Sequence, residues 1–234
     1  MIKKSKKRPA SDHTKLAHDG IKDLLFNNQI VPGQKISYKE IADRLDMSLT
    51  PVVQALKIME YQGLVKHTPN KGFYAVPLSL QEIEEIYDLR KVIETSMLPK
   101  VISNLSIESI NRLKNILEKN NDRTIDLNDR LIMDRNFHIT LSSISGQKIQ
   151  IQILQNLFDL LYLKYRGSLL FVASETVVGS QHQLIFEAVI TRDLELAINA
   201  MEEHFTIVST KALSTLSQIL AGKKNQPPQP FDTR

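Results

Sequence analysis

Between Ser37 and Val76 the apolar positions change their spacing several times, and each change marks an element. Tyr38 to Leu45 carries Ile41, Ala42 and Leu45 at helical spacing. Asp46-Met47-Ser48 interrupts the run. Ser48 or Thr50 is suited to cap a second helix, and Pro51 fits a first turn, where no backbone donor is missed. Val52, Leu56 and Met59 form one face of that helix, at spacings of four and three, and Gly63 ends it. Leu64 to His67 and Gly72 to Val76 are short β-prone runs around a turn, Thr68-Pro69-Asn70-Lys71. The pattern predicts two short helices and a two-stranded hairpin, a winged helix-turn-helix. Its second helix has the right size for a DNA major groove.

The flanking chain is helical in pattern. His13 to Asn28 reads as a first helix, with Leu16, Ile21, Leu24 and Leu25 inward, and Val31-Pro32-Gly33 as a turn. Pro77 breaks the hairpin, and Ser79-Leu80-Gln81-Glu82 is a capping box, so a domain boundary is expected near residue 77. Beyond it, helices are expected at roughly 79–103, 107–121, 128–145, 148–171, 177–192 and 194–221, with Ser106, Asn128 and Asp193 as N-caps. Apolar residues recur at three and four, as in Ile83, Ile86, Leu89 and Ile93. Short loops imply antiparallel neighbours. The expected fold class is mainly α: an N-terminal winged helix-turn-helix and a C-terminal all-α antiparallel bundle. The expected division is a basic flexible arm at 1–12, the winged helix-turn-helix DNA-binding domain at 13–77, a helical domain at 78–222, and a disordered polar, proline-rich tail at 223–234.

Charge sharpens this picture. Residues 1–78 hold 13 Lys+Arg against 7 Asp+Glu, a net of +6, and the remainder 17 against 19, a net of −2, which agrees with the total of +4. A basic first third on a slightly acidic remainder suits a nucleic-acid-binding domain with a second domain attached. On charge alone, a soluble domain with a lysine-rich tail fits equally; the helix-turn-helix pattern favours the first reading. The arm MIKKSKKRPASDH has no apolar core behind it, so it is not a secretory signal. No apolar run reaches the ~18 residues of a membrane span. Cysteine is absent, which removes disulfides, zinc–thiolate sites and cysteine nucleophiles and suits a cytoplasmic protein.

These residues together resemble the GntR family of bacterial transcription regulators. The first domain matches in IVPGQKISYKEIADRLDMSLTPVVQALKIMEYQGLVKHTPNKGFYAV. The second is similar to the FadR-type ligand-binding (FCD) domain in EIEEIYDLRKVIE (82–94), DRNFH (134–138), SGQ (145–147), HQLIFEAVITRD (182–193) and AINAMEEHF (197–205). Single segments are weak signals, but their joint order and spacing are strong. The resemblance implies a DNA-binding regulator, acting as a homodimer on a double-stranded operator. One departure stands out. The family usually has arginine at the positions of Leu49 and Val53 and glutamate at that of Gln54. Arginine is the usual bidentate reader of guanine. Here Ser48, Thr50, Gln54 and Lys57 face outward with Leu49 and Val53 among them. Gln54 suits adenine and the apolar pair suits thymine methyls, so the operator is expected to be richer in A·T; weakened base-specific binding is the other reading. Tyr38, Lys39, Arg44, Lys66 and Lys71 complete the candidate DNA surface, the charged ones as phosphate contacts.

Every histidine after residue 78 stands where the metal-binding branch of the resembled family carries one: His138, His182 and His204, on three expected helices. Asp134 precedes His138 by four, so the two share a helix face. Taken singly, each is an ordinary surface or core histidine. Together, one carboxylate and three imidazoles suit a divalent transition metal, zinc first, with nickel, manganese or iron as alternatives, and open positions suit a small oxygen ligand. Arg90, in the family-like DLR segment, is a candidate clamp for the acid group of an effector, against the alternative of a surface ion pair with a glutamate. His13, His18 and His67 show no ligand spacing. The expected function is a regulator whose metal-anchored small organic acid modulates operator binding. The alternatives are a metal-ion sensor and, with less support, a metalloenzyme; an enzyme is disfavoured because no HExxH-like glutamate accompanies the histidines.

Overall fold

A computed structural model describes residues 10–120, 127–165 and 175–224. The chain divides into two compact units: the described residues up to Leu78 together with 162–165, and the remaining described residues from Ser79 onward. The basic arm before Ala10 and the tail after Lys224 lie outside the described residues, as do 166–171 of the helix expected over 148–171.

In the first unit, α1 (Ala10–Phe26) is followed by β1 (Lys35–Ile36), α2 (Tyr38–Arg44), α3 (Leu49–Tyr61), β2 (Val65–Thr68) and β3 (Gly72–Ala75). Helix α1 begins three residues before the expected start, and its buried stripe runs through Ala17, Ile21, Leu24 and Leu25, while Leu16 is exposed. The spacing of four and three is kept, but it starts from the small alanine. Ser37 caps α2 by accepting from the Glu40 N–H at 3.3 Å. Ser48 occupies the N-cap position of α3 without a side-chain cap bond. Val52, Leu56 and Met59 are fully buried. Gly63, at φ +73°, follows the C-cap of α3, a backbone region that disfavours side chains.

The hairpin expected from the sequence is one half of a three-stranded antiparallel sheet in the order β1-β3-β2. Val65 pairs with Ala75 and Thr68 with Gly72, while Lys35 pairs with Tyr74 and Ile36 with Phe73. A two-residue strand carries no readable alternation, which is why β1 is silent in the hydrophobic pattern.

The second unit is wholly helical among the described residues: α4 (Leu80–Ser103), α5 (Ile107–Asn120), α6 (Leu127–Ser143), α7 (Lys148–Tyr165), α8 (Glu175–Ile190) and α9 (Leu194–Lys224). Three expected caps are formed. Ser79 accepts from the Glu82 N–H, Ser106 from the Ser109 N–H at 3.2 Å, and Asp193 from the Leu196 N–H at 2.9 Å. Asn128 falls inside α6, which begins at Leu127, rather than at its N-cap position. Helix α4 packs on α6, α8 and α9. Side chains tie the loops to helix ends: Asn104 donates to the Ile144 carbonyl at 3.1 Å and Arg192 to the Ile102 carbonyl at 3.0 Å.

Helix α4 buries a wider face than its hydropathy suggests. Of the apolar series Ile83, Ile86, Leu89, Ile93, all but Leu89 are buried, and Leu89 is 45% exposed. The buried face also takes in Tyr87, Arg90, Glu94, Met97 and Val101. Two charged residues thus occupy core positions, and burial of charge demands partners.

Candidate metal centre

The partners lie on the neighbouring helices. Asp134 and His138 stand one turn apart on α6, His182 lies in the middle of α8, and His204 in the first third of α9. One ligand atom from each of the four lies within 4.8 Å of all the others. The imidazoles of His138, His182 and His204 are essentially fully buried, whereas the Asp134 side chain is 22% exposed. The cluster therefore has its open side at the carboxylate.

Each ring has a different setting. His138 Nδ1 bonds the Glu94 carboxylate of α4. His138 Nε2 lies 3.1 Å from His204 Nε2 and 3.7 Å from Asp134 Oδ1. His204 Nδ1 faces Gln181 Oε1 at 3.3 Å. His182 Nε2 lies 3.3 Å from Asp134 Oδ1, and His182 Nδ1 is buried with no hydrogen-bond partner among the described residues. With Nδ1 of His138 and His204 donating outward, both Nε2 lone pairs point into the cluster. Two such lone pairs at 3.1 Å repel unless a proton or a cation sits between them. Ring nitrogens bound to one ion at about 2.1 Å lie about 3.0–3.4 Å apart, so the His138–His204 pair has the spacing of two ligands of one ion, and the four donor atoms, within 4.8 Å of one another, would draw closer around it.

Electrostatics follow the same logic. Burial, then the neighbouring His182 and His138, pushes His204 well below the usual histidine range, and burial lowers His182 as well. Neutral imidazoles are the metal-binding form. Burial alone would raise the Asp134 carboxyl, but the His182 ring and the charges of His138 and Arg90 outweigh it and hold it well below the carboxylate range. Glu94 behaves alike: burial opposes ionisation, and His138 and Arg90 overcome it. Phe137 stacks on His182 with centroids 4.3 Å apart, and Phe158 of α7 lies 5.9 Å from His138, giving the centre apolar walls.

Arg90 is not on the surface. It is 1% exposed, its Nε donates to Glu94 Oε1 at 3.0 Å, and its guanidinium lies 4.0 Å from the Phe158 centroid and 5.1 Å from that of Phe205. The alternative of a surface ion pair is therefore corrected: the pair exists, but inside the bundle. Glu94 and Gln181, both buried, were not singled out in the sequence. Glu94 had a signal, an acid four residues after Arg90 on the buried stripe of α4. Gln181 had none, since being next to a histidine says nothing of which helix it meets.

The candidate DNA residues lie on the first unit. Tyr38, Lys39, Arg44, Ser48, Leu49, Thr50, Gln54, Lys57, Lys66 and Lys71 are exposed and Val53 is half-buried. Leu49 keeps 47% of its surface free and Ile58, on the same helix, 44%. Arg44 bonds Gln29 at 2.7 Å, and Gln54 Oε1 accepts from the Thr14 hydroxyl of α1 at 2.8 Å. His67 is exposed, while His18 bonds Gln62 at 2.9 Å.

Comparison with known proteins gives one family match in each unit. Residues 15–75 match the model described as bacterial regulatory proteins, gntR family, and residues 85–206 match the FCD domain. The HTH-type transcriptional regulator YdhC of Bacillus subtilis (strain 168) is 26% identical over 196 residues, covering 80% of this chain and 85% of that one. The gluconate operon transcriptional repressor of Bacillus licheniformis is 26% identical over 195 residues, covering 80% and 79%. Among solved structures, McbR/YncC of E. coli superposes with a TM-score of 0.71 at 20% identity, over 91% of this chain and 99% of that one.

Proposed function

We propose, for a chain that belongs to the gntR family of bacterial regulatory proteins and carries its FCD domain, that the helical unit binds a divalent metal which anchors a small organic acid and so controls operator binding. The chain is a DNA-binding transcription regulator with a C-terminal effector-binding domain, like its relatives, and not an enzyme. The observation that carries the proposal is the convergence of four donor atoms within 4.8 Å inside a bundle. Asp134, His138, His182 and His204 would hold the ion, with zinc first in order. When bound, the ion supplies a Lewis-acidic position for an oxygen ligand.

Charge balance argues for an acid as that ligand. Glu94 and Asp134 contribute two negative charges, Arg90 one positive, and a divalent ion two more. The buried centre is then left at +1, and in a low dielectric an unpaired charge draws a counter-ion. Arg90 is the residue proposed to receive the acid group, from inside the bundle rather than from its surface.

The regulator is proposed to act as a cytoplasmic homodimer that represses. Operator half-sites about one helical turn apart require two reading heads. Apolar residues suited to a partner copy are exposed on α4 (Leu89, Val92) and α7 (Ile149, Ile153), and a 3.3 Å bond from Gln150 to Ser96 puts these two surfaces side by side. Repression is the mode named for the Bacillus licheniformis relative. Base reading is assigned to Gln54, Leu49 and Val53, and phosphate contact to Lys39, Arg44, Lys66 and Lys71. Domain boundaries near residues 13, 77 and 222 belong to the same proposal.

The test is fluorescence anisotropy with DNA from around its own gene. Zinc-loaded protein should prefer one segment over random DNA, and a panel of small carboxylates should include one that changes the affinity. No preference at moderate salt, or no effect of any carboxylate with zinc bound, would overturn the proposal.

A further inference from the structure

The three imidazoles of the cluster do not have equal outer partners. His204 faces a neutral amide, Gln181, and His182 Nδ1 has no partner among the described residues. Among the described residues, only His138 meets a carboxylate at its outward-facing Nδ1: Glu94, which is 2% exposed. Glu94 is itself shared, since its other oxygen accepts from Arg90 Nε at 3.0 Å. One buried acid on α4 thus joins the fixed cation of that helix to a ring on α6.

We infer that Glu94 is the positioning residue of the metal centre: it fixes His138 as the Nδ1–H tautomer, aims its Nε2 lone pair at Asp134 and His204, and makes this ring the strongest donor of the three. The inference rests on the proposed metal site. The physical reason is that a carboxylate accepting from one ring nitrogen holds the proton there and raises the basicity of the other. An amide does this more weakly, and an empty position not at all. The ranking is therefore His138 above His204 above His182. Glu94 also makes α4 part of the centre, although α4 supplies no ligand. Through it, an ion drawn to His138 constrains the helix that comes directly after the wing strand β3 in the chain.

The test uses metal-stripped full-length protein. Zinc is titrated in competition with a chromophoric chelator, and a long-range 1H–15N spectrum of histidine-labelled protein reports ring tautomers, with His138→Gln assigning the resonance. Wild type should show His138 as Nδ1–H. Glu94→Gln, which keeps the shape and loses the charge, should bind zinc about ten- to a hundredfold more weakly. The same loss should appear when Glu94→Gln is compared within an Arg90→Met background, where Glu94 no longer has an arginine to anchor. Zinc affinity within threefold of wild type, a His138 ring protonated on Nε2, or a loss that vanishes in the Arg90→Met background would each overturn the inference. If Glu94→Gln alone does not fold, the wild-type tautomer and the Arg90→Met pair decide. If wild type takes up no zinc, the metal reading falls, and the tautomer still tests what Glu94 does to the ring.

Discussion

Arg90→Met is the perturbation that most directly tests how this bundle tolerates charge in its core. Methionine fills most of the same volume without charge, so packing loss is small. What remains is Glu94, 2% exposed, keeping only His138 as a partner. Removing one member of a buried pair typically costs about 3–5 kcal/mol, because the other charge is left uncompensated. The guanidinium also lies 4.0 Å from the Phe158 centroid, a desolvated cation–π contact of about 2 kcal/mol that is partly contained in the same figure. For a domain of about 150 residues, each kcal/mol moves the melting temperature by about 2–4 °C, so a fall of about 6–20 °C is expected for the helical unit. Calorimetry is the assay, since the chain has no tryptophan. The double variant Arg90→Met/Glu94→Gln removes both charges while leaving an acceptor for His138, and should recover more than half of the loss. A single-variant loss below about 1 kcal/mol, or a double variant no better than the single, would refute the reasoning.

Three further outcomes are expected. Zinc at a hundred times its dissociation constant should stabilise the stripped protein by about 2.7 kcal/mol, seen as a rise in the melting temperature of the helical unit that chelator reverses and His204→Ala abolishes; an unmoved transition counts against a bound ion. His182 and His204 titrate lower in the folded chain than the ordinary 6.5, so the unfolded chain binds more protons as pH falls through that value. The stability they contribute is complete above about pH 6.5 and declines below it, so the metal-free protein should melt progressively lower from about pH 7 to about pH 5, and a flat profile over that range would contradict the burial of neutral rings. On the first unit, Lys66→Ala and Lys71→Ala should each weaken DNA binding about equally on all sequences and reduce the salt slope by roughly one, whereas Gln54→Ala should change base preference by about 1–3 kcal/mol at one position; a sequence-dependent effect of either lysine would reverse the assignment.

What the residue order determined by itself is local. The spacing of Val52, Leu56 and Met59, the Ser79–Glu82 cap and the left-handed glycine after α3 depend on neighbours within one turn, and the elements they imply are the elements that form. The winged domain and the helical bundle were legible for that reason, and the positions Asp134, His138, His182 and His204, which the fold brings together, were singled out through family resemblance. Tertiary structure decided the rest. Strand β1 exists only because β3, far along the chain, offers its edge. Helix α4 turned Arg90 inward and Leu89 outward, against hydropathy, because Glu94, Phe158 and Phe205 wait on that side. Glu94 meets His138 across 44 positions and His138 meets His204 across 66. Periodicity records which face of a helix is buried; only packing chooses which other helix that face meets, and the chemistry of the centre is a property of that meeting.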